Sequence, residues 1–329
     1  MGRAERTDRP GFRALRRWTA GLLCLLYFSP ALPSGPALQG ERLEYRISYQ
    51  GALSAMARID ICDAVLETSL EQGPSGEPAY RSTVRISSEG HEQMERLYPF
   101  RYRLRSFYSA DLQHSILLDK YRKTRKERHE IVWFDWERRV AERYKRRKPK
   151  EAPRHVPGAG SGSDGRKDEG MLRILSGLGY DPANFRPSSK TGLRLPGLLL
   201  DRLSLLQAAR SRDFSPGQEI RLSVSDGKAI LNYRVQVLGR EPIGHGGRMR
   251  DSFKLRFDAF ADGRWSGRTA HPGVFVWLTA DGSKTPVRFS VDYALGTFVV
   301  QMKEGRDIQA SVAQGGVTPS LPDQLSSAR

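Results

Sequence analysis

Two-residue alternation of apolar and polar side chains is the feature that most limits what this chain can fold into. The first alternating stretch, 41–50, places Leu43, Tyr45 and Ile47 on one face and Glu44 and Arg46 on the other. Because successive side chains of a strand point to opposite faces, this pattern predicts a strand that is buried on one side. Comparable runs follow at 57–70, 80–88, 97–108, 129–134, 139–145, 217–225, 228–238, 253–260, 274–278, 287–293 and 297–302. We therefore expect a mainly β protein.

One stretch has helical spacing instead. In 197–210, Leu199, Leu203 and Leu206 recur at intervals of three or four residues, which predicts an amphipathic helix. Asp201 lies in its first turn, where the helix dipole favours an anion. Such a helix needs an apolar surface to pack against, and the alternating strands provide one. We expect an antiparallel, strongly curved sheet or incomplete β-barrel crossed by this one amphipathic helix.

The N-terminal residues have the parts of a secretory signal. Six arginines precede Trp18, residues 18–32 form an apolar run, and small residues with prolines follow. The run is shorter than the ~20 residues of a membrane-spanning helix. We expect residues 1–37 to be a cleaved signal peptide, with an uncleaved signal anchor and a buried core helix as alternatives. Export therefore follows from the first two interpretations.

The rest of the chain is expected to form a single β-rich domain at 38–314. Glycine, proline and serine dominate 148–170, which predicts a flexible loop, and a short helix is expected at 171–178. Residues 315–329 are polar and predict a disordered tail.

Positive charge is concentrated in one segment. The chain has a formal net charge of +17, and residues 120–150 hold 14 Lys/Arg against five Asp/Glu. A basic surface favours polyanions. We consider a solvated sheet face and a contact for anionic lipid or lipopolysaccharide as alternatives, and export argues against nucleic acid as a partner. The candidate contact residues are Arg138, Arg139, Arg143, Lys145, Arg146 and Arg147.

Patterns that carry chemistry are missing from the sequence. The pairs His91-Glu92 and His129-Glu130 lack the second histidine of a zinc-protease helix. Cys62 is the one cysteine outside the N-terminal apolar run, so it cannot build a structural zinc site. The glycine-rich segment 244–247 has no lysine for a phosphate loop. The sequence predicts no metal site, no cofactor and no enzyme. Charges at Asp201 and Arg210 are explained as helix-end charges, with a cleft-lining role as the alternative.

Several segments together resemble a known family. These are 40–51, 97–111, the hairpin IVWFDWERRVAE, Pro196 with DRLSLLQAAR, the SVSDGK turn, and the block from Trp277 through Asp281, Pro286 and Gly296. They are similar to the bacterial exported proteins catalogued as domain of unknown function 3108, over most of 40–303. The resemblance implies export to the bacterial envelope, in the periplasm or anchored to the inner membrane, and a β-rich fold. It implies no catalytic residue.

Two functions are compatible with these patterns. A curved sheet closed by a helix tends to enclose an apolar cavity, which could hold a lipid or other apolar small molecule. The candidate lining residues are Leu199, Leu203, Leu206 and Trp277. The alternative is an envelope-assembly or structural factor that docks on anionic lipid or polysaccharide through the basic hairpin 120–150.

Overall fold

Fifteen strands in the described part of the chain form one antiparallel sheet. The computed structural model describes residues 40–54, 56–147, 165–188, 192–261 and 263–303. The strands are β1 Glu41–Gly51, β2 Arg58–Gln72, β3 Pro78–Ser87, β4 Arg101–Ser109, β5 Ser115–Lys123, β6 Glu127–Asp135, β7 Val140–Arg146, β8 Phe185–Pro187, β9 Leu193–Arg194, β10 Glu219–Ser225, β11 Ile230–His245, β12 Arg248–Phe260, β13 Val274–Thr279, β14 Pro286–Tyr293 and β15 Gly296–Met302. Three α-helices accompany them in these described residues: α1 Glu92–Leu97, α2 Gly165–Gly177 and α3 Arg202–Arg210.

The sheet is built from sequential hairpins with one long-range pairing in its middle. Its order runs from β10 through β15 to β1 and then from β2 to β8, while β9 pairs with β7. The strand β1 pairs with β15 from Tyr45 opposite Met302 to Gly51 opposite Gly296. This pairing joins the first and last strands of the described chain. The C-terminal strands are therefore part of the same sheet as the N-terminal ones.

The sheet curves around α3. Next to this helix, Leu200 N donates to Ser223 O of β10 at 2.9 Å, and Leu199 O accepts from Ser115 N of β5, also at 2.9 Å. The strands β10 and β5 are ten positions apart in the sheet, which would be ~48 Å in a flat sheet at ~4.8 Å per strand. Two adjacent residues can bridge them only if the sheet bends into an incomplete barrel. Strand pairing does not close this barrel.

The main core lies on the concave face, around α3. Leu199 and Leu203 pack with Leu104, Leu118 and Val132 of β4, β5 and β6. The other flank of the helix packs against β11, β12 and β13, through Leu205, Ala208, Ala209, Val235, Leu255 and Val276. Burial of these side chains is the main favourable contribution that holds the curved sheet on its helix.

The convex face carries a second core under α2. Met171, Ile174 and Leu175 of this helix are buried against Leu117 and Ile131 of β5 and β6. Residues of opposite parity in the same strands, such as Leu118 and Val132, face α3. The strands β4 to β7 are therefore covered by a helix on each face, and their mid-strand residues are buried on both sides.

The expected boundaries of α2 and α3 are wrong. The helix expected at 197–210 begins at Arg202, because Leu199 and Leu200 are extended and bridge β5 to β10. Residues 165–170, expected in the flexible loop, form the first turns of α2. The expected signal segment 1–37, the loop residues 148–164 and the tail 315–329 lie outside the described residues.

Candidate functional site

Asp201 is a buried cap at the N-terminus of α3. Its side chain accepts from Leu203 N at 2.8 Å and from Ser204 N at 3.3 Å, while the Ser204 hydroxyl accepts from Asp201 N. Two more donors, the hydroxyls of Ser106 and Ser115, come from β4 and β5. Asp201 is 0% exposed. A carboxylate with four donors is satisfied, so its role is to fix the start of α3 against the sheet.

Arg210 fixes the other end of the same helix. Its guanidinium donates to both oxygens of Glu41 in β1, at 2.8 and 2.6 Å, and to Gln207 Oε1 at 2.8 Å. It also donates to the carbonyl oxygens of Ser283 and Lys284, between β13 and β14. Arg210 is 1% exposed. A buried bidentate pair with every remaining donor used fixes an orientation, and no donor is left to line a cleft.

The four candidate cavity residues do not come together. Leu199 and Leu203 lie in the packed cluster between α3 and β4–β6, and Leu206 contacts two other clusters on the same concave side. Trp277 lies on the opposite face of β13 from Val276 and packs with Ile243 and Val287. The three leucines therefore lie among apolar side chains of the core, and Trp277 is on the convex face.

The six candidate anion-contact residues are divided into three groups. Arg138 and Arg139 lie at the β6–β7 turn, where Arg138 pairs with Asp135 at 3.3 Å and Glu142 at 2.9 Å. Arg143 lies in the middle of β7 and is 3% exposed. Its Nε is 2.6 Å from Glu130 Oε1, an ion pair without the geometry of a hydrogen bond. Lys145, Arg146 and Arg147 lie at the far end of β7.

The third group belongs to a larger cationic surface, which we call the basic end. It lies where β5 and β7 end and β6 begins, since Lys123 is opposite Glu127 and Lys145 is opposite Glu130. Its seven exposed cations are Arg122, Lys123, Arg125, Lys126, Arg128, Lys145 and Arg146. Within the part of the chain that the structure describes, Arg146 alone among these seven forms an ion pair, with Glu127 at 2.6 Å.

Two arginines of the basic end repel each other. Arg122 is directly opposite Arg128 across the β5–β6 pair. Like charges in this arrangement destabilise a sheet. The repulsion would be relieved by an anion bound between or above them. The basic end therefore contains two directly opposed like charges in addition to its other cations.

Nearby carboxylates are already used inside the protein. Lys120 Nζ lies 3.2 Å from Glu130 and donates to the Asp226 carbonyl oxygen at 3.0 Å. Burial lowers the pKa of Lys120, and the charges of Glu130 and Asp226 oppose that effect. Because Glu130 also pairs with Arg143, it does not neutralise the basic end. The internal pairing of Glu130 and Asp226 thus leaves six of the seven exposed cations of the basic end without an ion pair among the described residues, while Arg146 pairs with Glu127.

A polar cluster under α2 was missed by the sequence interpretation. Asp119, which is 0% exposed, accepts from Arg105 and Tyr180 at 2.8 Å each and lies 2.7 Å from His129 Nε2. Burial raises the pKa of Asp119, but the hydrogen bond from His129 and the charges of His129 and Arg105 outweigh it, so the pKa is lowered. Asp119 follows the continuous apolar run 116–118, so alternation predicts neither this strand nor the buried position of Asp119. Its partner Tyr180 follows the loop and was not predictable by spacing.

A cleft lies at the opposite end of the β6–β7 hairpin from the basic end. Its volume is about 600 Å³. Aromatic and aliphatic side chains from β5, β6, the turn and α2 line it: Ile116, Trp133, Trp136 and Ile174. Trp136 donates to the Ser115 carbonyl oxygen at 2.8 Å, which holds its ring in place. The cleft has the size of a small-molecule site.

Other chemistry has little support in the described residues. They contain no group of three or more histidine, cysteine, aspartate or glutamate side chains placed to hold a metal ion. None of their helices is long and apolar enough to span a membrane. Cys62 is buried, and burial, followed by the charge of Asp63, raises the pKa of its thiol to about 11.

These features define a protein with an antiparallel β-sheet curved around one buried helix and a cationic surface at one end of its strands. Residues 175–303 match the model of the family described as "Protein of unknown function (DUF3108)". The family resemblance read from the sequence is confirmed over these residues, which run from the end of α2 to the end of β15. The match indicates no catalytic family. No curated protein matches the chain.

Three solved structures are among those that match this chain. A β-barrel-like protein of domain of unknown function 1849 from Brucella abortus has a TM-score of 0.46 and 11% identity, covering 80% of this chain and 95% of that one. A proposed exported protein with a YmcC-like fold from Bacteroides fragilis has a TM-score of 0.25 and 8% identity, covering 81% and 95%. A proposed lipoprotein from Parabacteroides distasonis has a TM-score of 0.27 and 8% identity, covering 82% and 98%.

Proposed function

We propose that this chain is an exported, non-catalytic envelope protein that docks on surfaces of phosphate-bearing lipids through its basic end. The observation that carries the proposal is the set of seven exposed cations, of which Arg146 alone is paired among the described residues. Export is supported by the basic N-terminus and the apolar run at 18–32. A Lys or Arg side chain near an anionic leaflet contributes ~1 kcal/mol to binding.

The test compares anionic with neutral vesicles. We expect the chain to prefer vesicles with about one-third phosphatidylglycerol over phosphatidylcholine vesicles, and the preference should weaken with salt as surface charges are screened. Changing Lys123, Arg125, Lys126 and Lys145 to serine removes ~4 kcal/mol of attraction, so the preference should fall by roughly two to three orders of magnitude. The N-terminal apolar run is common to every variant and vesicle, so it cancels in this ratio.

A matched control separates the basic end from net charge. Changing Arg173, Arg194, Arg212 and Arg248 to serine removes the same charge from exposed positions elsewhere. This control should keep most of the preference. If both variants lose the preference equally, net charge accounts for binding and the proposal fails. If neither variant loses it, the basic end is not the contact.

A second candidate function, binding of a lipid or other apolar small molecule, is favoured by the cleft at Trp133 and Trp136 rather than by the leucines. A cleft of about 600 Å³ with aromatic walls fits one such ligand. Native mass spectrometry of protein isolated from its host should then show a co-purifying small molecule. Trp136→Ala should release it, while the serine changes at the basic end should retain it. Protein that is ligand-free in both forms would exclude this candidate.

A further inference from the structure

Exposed apolar side chains gather at one end of the strands. Eleven large hydrophobic side chains of the described residues are exposed, and six of them lie in connections or at strand ends on the same end of the sheet: Met56, Ile59, Leu97, Tyr98, Tyr293 and Leu295. Scattered exposed hydrophobic residues are normal, but a contiguous group marks an interaction surface. Six such side chains at one end of the sheet therefore need an explanation, whereas isolated exposed hydrophobic residues would not.

Two hairpin tips in this group touch each other. The β14–β15 turn packs against the end of β1, where Ala52 N donates to Leu295 O at 3.1 Å and Tyr49 Oη donates to it at 2.6 Å. The approach is possible because Gly51 and Gly296 face each other. A Cβ at Gly51 would lie 2.2 Å from Leu295 O, and one at Gly296 would lie 2.4 Å from Gln50 O.

These contacts make one surface, which we call the apolar tip. It consists of Met56, Ile59, Tyr293 and Leu295, which are 65%, 37%, 53% and 63% exposed. Phe298 links its two halves through ring contacts with Tyr49 at 5.0 Å and Tyr293 at 5.7 Å. Met56 has a φ of 65°, a left-handed conformation that is uncommon outside glycine. The fold does not need a large apolar side chain at this position.

The apolar tip and the basic end lie at the same end of the strands. In an antiparallel sheet the turns β1–β2, β5–β6 and β14–β15 all fall on one side, because β1, β5 and β14 run in the same direction. The pairing of β1 with β15 at Gly51 and Gly296 agrees with this placement. A single planar surface can therefore face both features.

We propose that the apolar tip inserts into the interfacial layer of the anionic bilayer on which the basic end docks. The inference rests on the proposed function for its choice of partner. Interfacial binding combines buried apolar area with attraction to anionic headgroups, and these two terms are supplied by the two surfaces. A stable self-association interface needs ~800 Å² per partner. The four side chains are only 37–65% exposed, so even if each were a whole aromatic side chain of ~150–250 Å² they would offer about half of that area.

The test places a probe on the tip in the full chain. In a Cys24→Ser background, Leu295→Cys is labelled with an environment-sensitive dye, and Met249→Cys, which is 67% exposed at the opposite end of the strands, is the matched control. Cys62 is buried and stays unlabelled. With anionic vesicles, the dye at 295 should shift to the blue and become protected from aqueous iodide. The dye at 249 should not change, and equal quenching at both positions overturns the proposal.

A second variant tests the energetic contribution. Met56→Ser with Leu295→Ser should weaken binding about tenfold on anionic and neutral vesicles alike, since it removes apolar area and no charge. Insertion of the 295 dye with no effect of the basic-end changes would support this inference and refute charge-driven docking. If the basic-end changes weaken binding but the 295 dye does not insert, insertion is refuted and charge-driven docking is not. Protection of the dye without vesicles, together with dimers abolished by Leu295→Ser, would show a self-association surface and overturn the proposal.

Discussion

Asp201 and Arg210 are buried charges at the two ends of one short helix. Each is held by several partners from different strands: Asp201 by serines of β4 and β5, and Arg210 by Glu41 of β1. Buried charges are tolerated only when such partners are present. These two residues therefore position α3 inside the curved sheet, and their removal should affect stability before any other property.

Replacing Asp201 by alanine should be strongly destabilising. The change removes an N-cap, worth ~0.5–2 kcal/mol, and leaves the buried hydroxyls of Ser106 and Ser115 without their acceptor, at ~1–3 kcal/mol. We expect urea denaturation to show a loss of about 3 kcal/mol in the free energy of unfolding. Asp181→Ala is the control, since Asp181 caps a short exposed turn through Ala183 N at 2.9 Å. A loss below 1 kcal/mol for Asp201→Ala would contradict its anchoring role.

Asp119 should contribute to acid denaturation. Its pKa is lowered in the folded state, so its stabilising effect is complete above the unfolded pKa of ~3.9 and is lost as the pH falls through the folded pKa. Asp119→Asn should therefore reduce the slope of unfolding free energy against pH below about pH 4, by up to ~1.4 kcal/mol per pH unit. The exposed Asp213 provides the control Asp213→Asn. Equal slopes for wild type and Asp119→Asn would show that the cluster under α2 does not hold this carboxylate ionised.

The helices α2 and α3 pack on opposite faces of the strands β4 to β7. One glycine of α2 sets the distance between this helix and β6. A Cβ at Gly170 would lie 2.7 Å from Trp133 Cη2, whereas one at Gly177 would find its nearest atom, Pro74 O, at 3.9 Å. Glycine in a helix normally costs ~1 kcal/mol relative to alanine. The absence of a side chain at Gly170 thus permits close packing of α2 on β6, although glycine does not favour helix formation.

Alanine at the two glycines should have opposite effects. Gly177→Ala should be neutral or raise the free energy of unfolding by up to ~1 kcal/mol, as helix propensity predicts. Gly170→Ala should lower it by about 1–2 kcal/mol, because overpacking against Trp133 exceeds the gain in propensity. Chemical denaturation of both variants measures the difference. Stabilisation by Gly170→Ala would mean that α2 is not packed as closely as the structure shows.

Strands were more predictable than helices in this chain. Alternation located most strands within a few residues, and Asp226-Gly227 was correctly placed in the β10–β11 turn. The strand β5 was missed because Ile116, Leu117 and Leu118 form a continuous apolar run, buried on both faces by α3 and α2. Leu199 was assigned to a helix because its spacing from Leu203 is helical, while its hydrogen bond to Ser115 is a tertiary contact that spacing does not encode.

The whole molecule presents one end of its strands as a distinct surface. The sequence predicts the positive charge in 120–150, but it does not predict which of these cations pair with carboxylates. In the described structure Arg138 and Arg143 are paired with carboxylates, and Lys145 is not. The apolar tip was not predictable either, because its residues come from two hairpins far apart in sequence. The apolar tip forms only when β1 pairs with β15, and the basic end forms when β5, β6 and β7 pair with one another.

Hydrogen exchange on vesicles tests this account most directly. With anionic vesicles, amide exchange in the full chain should slow at the β5–β6 turn and at the β1–β2 and β14–β15 turns. Exchange at the β11–β12 turn, around Gly246 and Gly247 at the opposite end of the strands, should stay unchanged. Neutral vesicles should not slow the β5–β6 turn. Slowed exchange at the β11–β12 turn, with the β5–β6 turn unaffected on anionic vesicles, would contradict docking through the basic end.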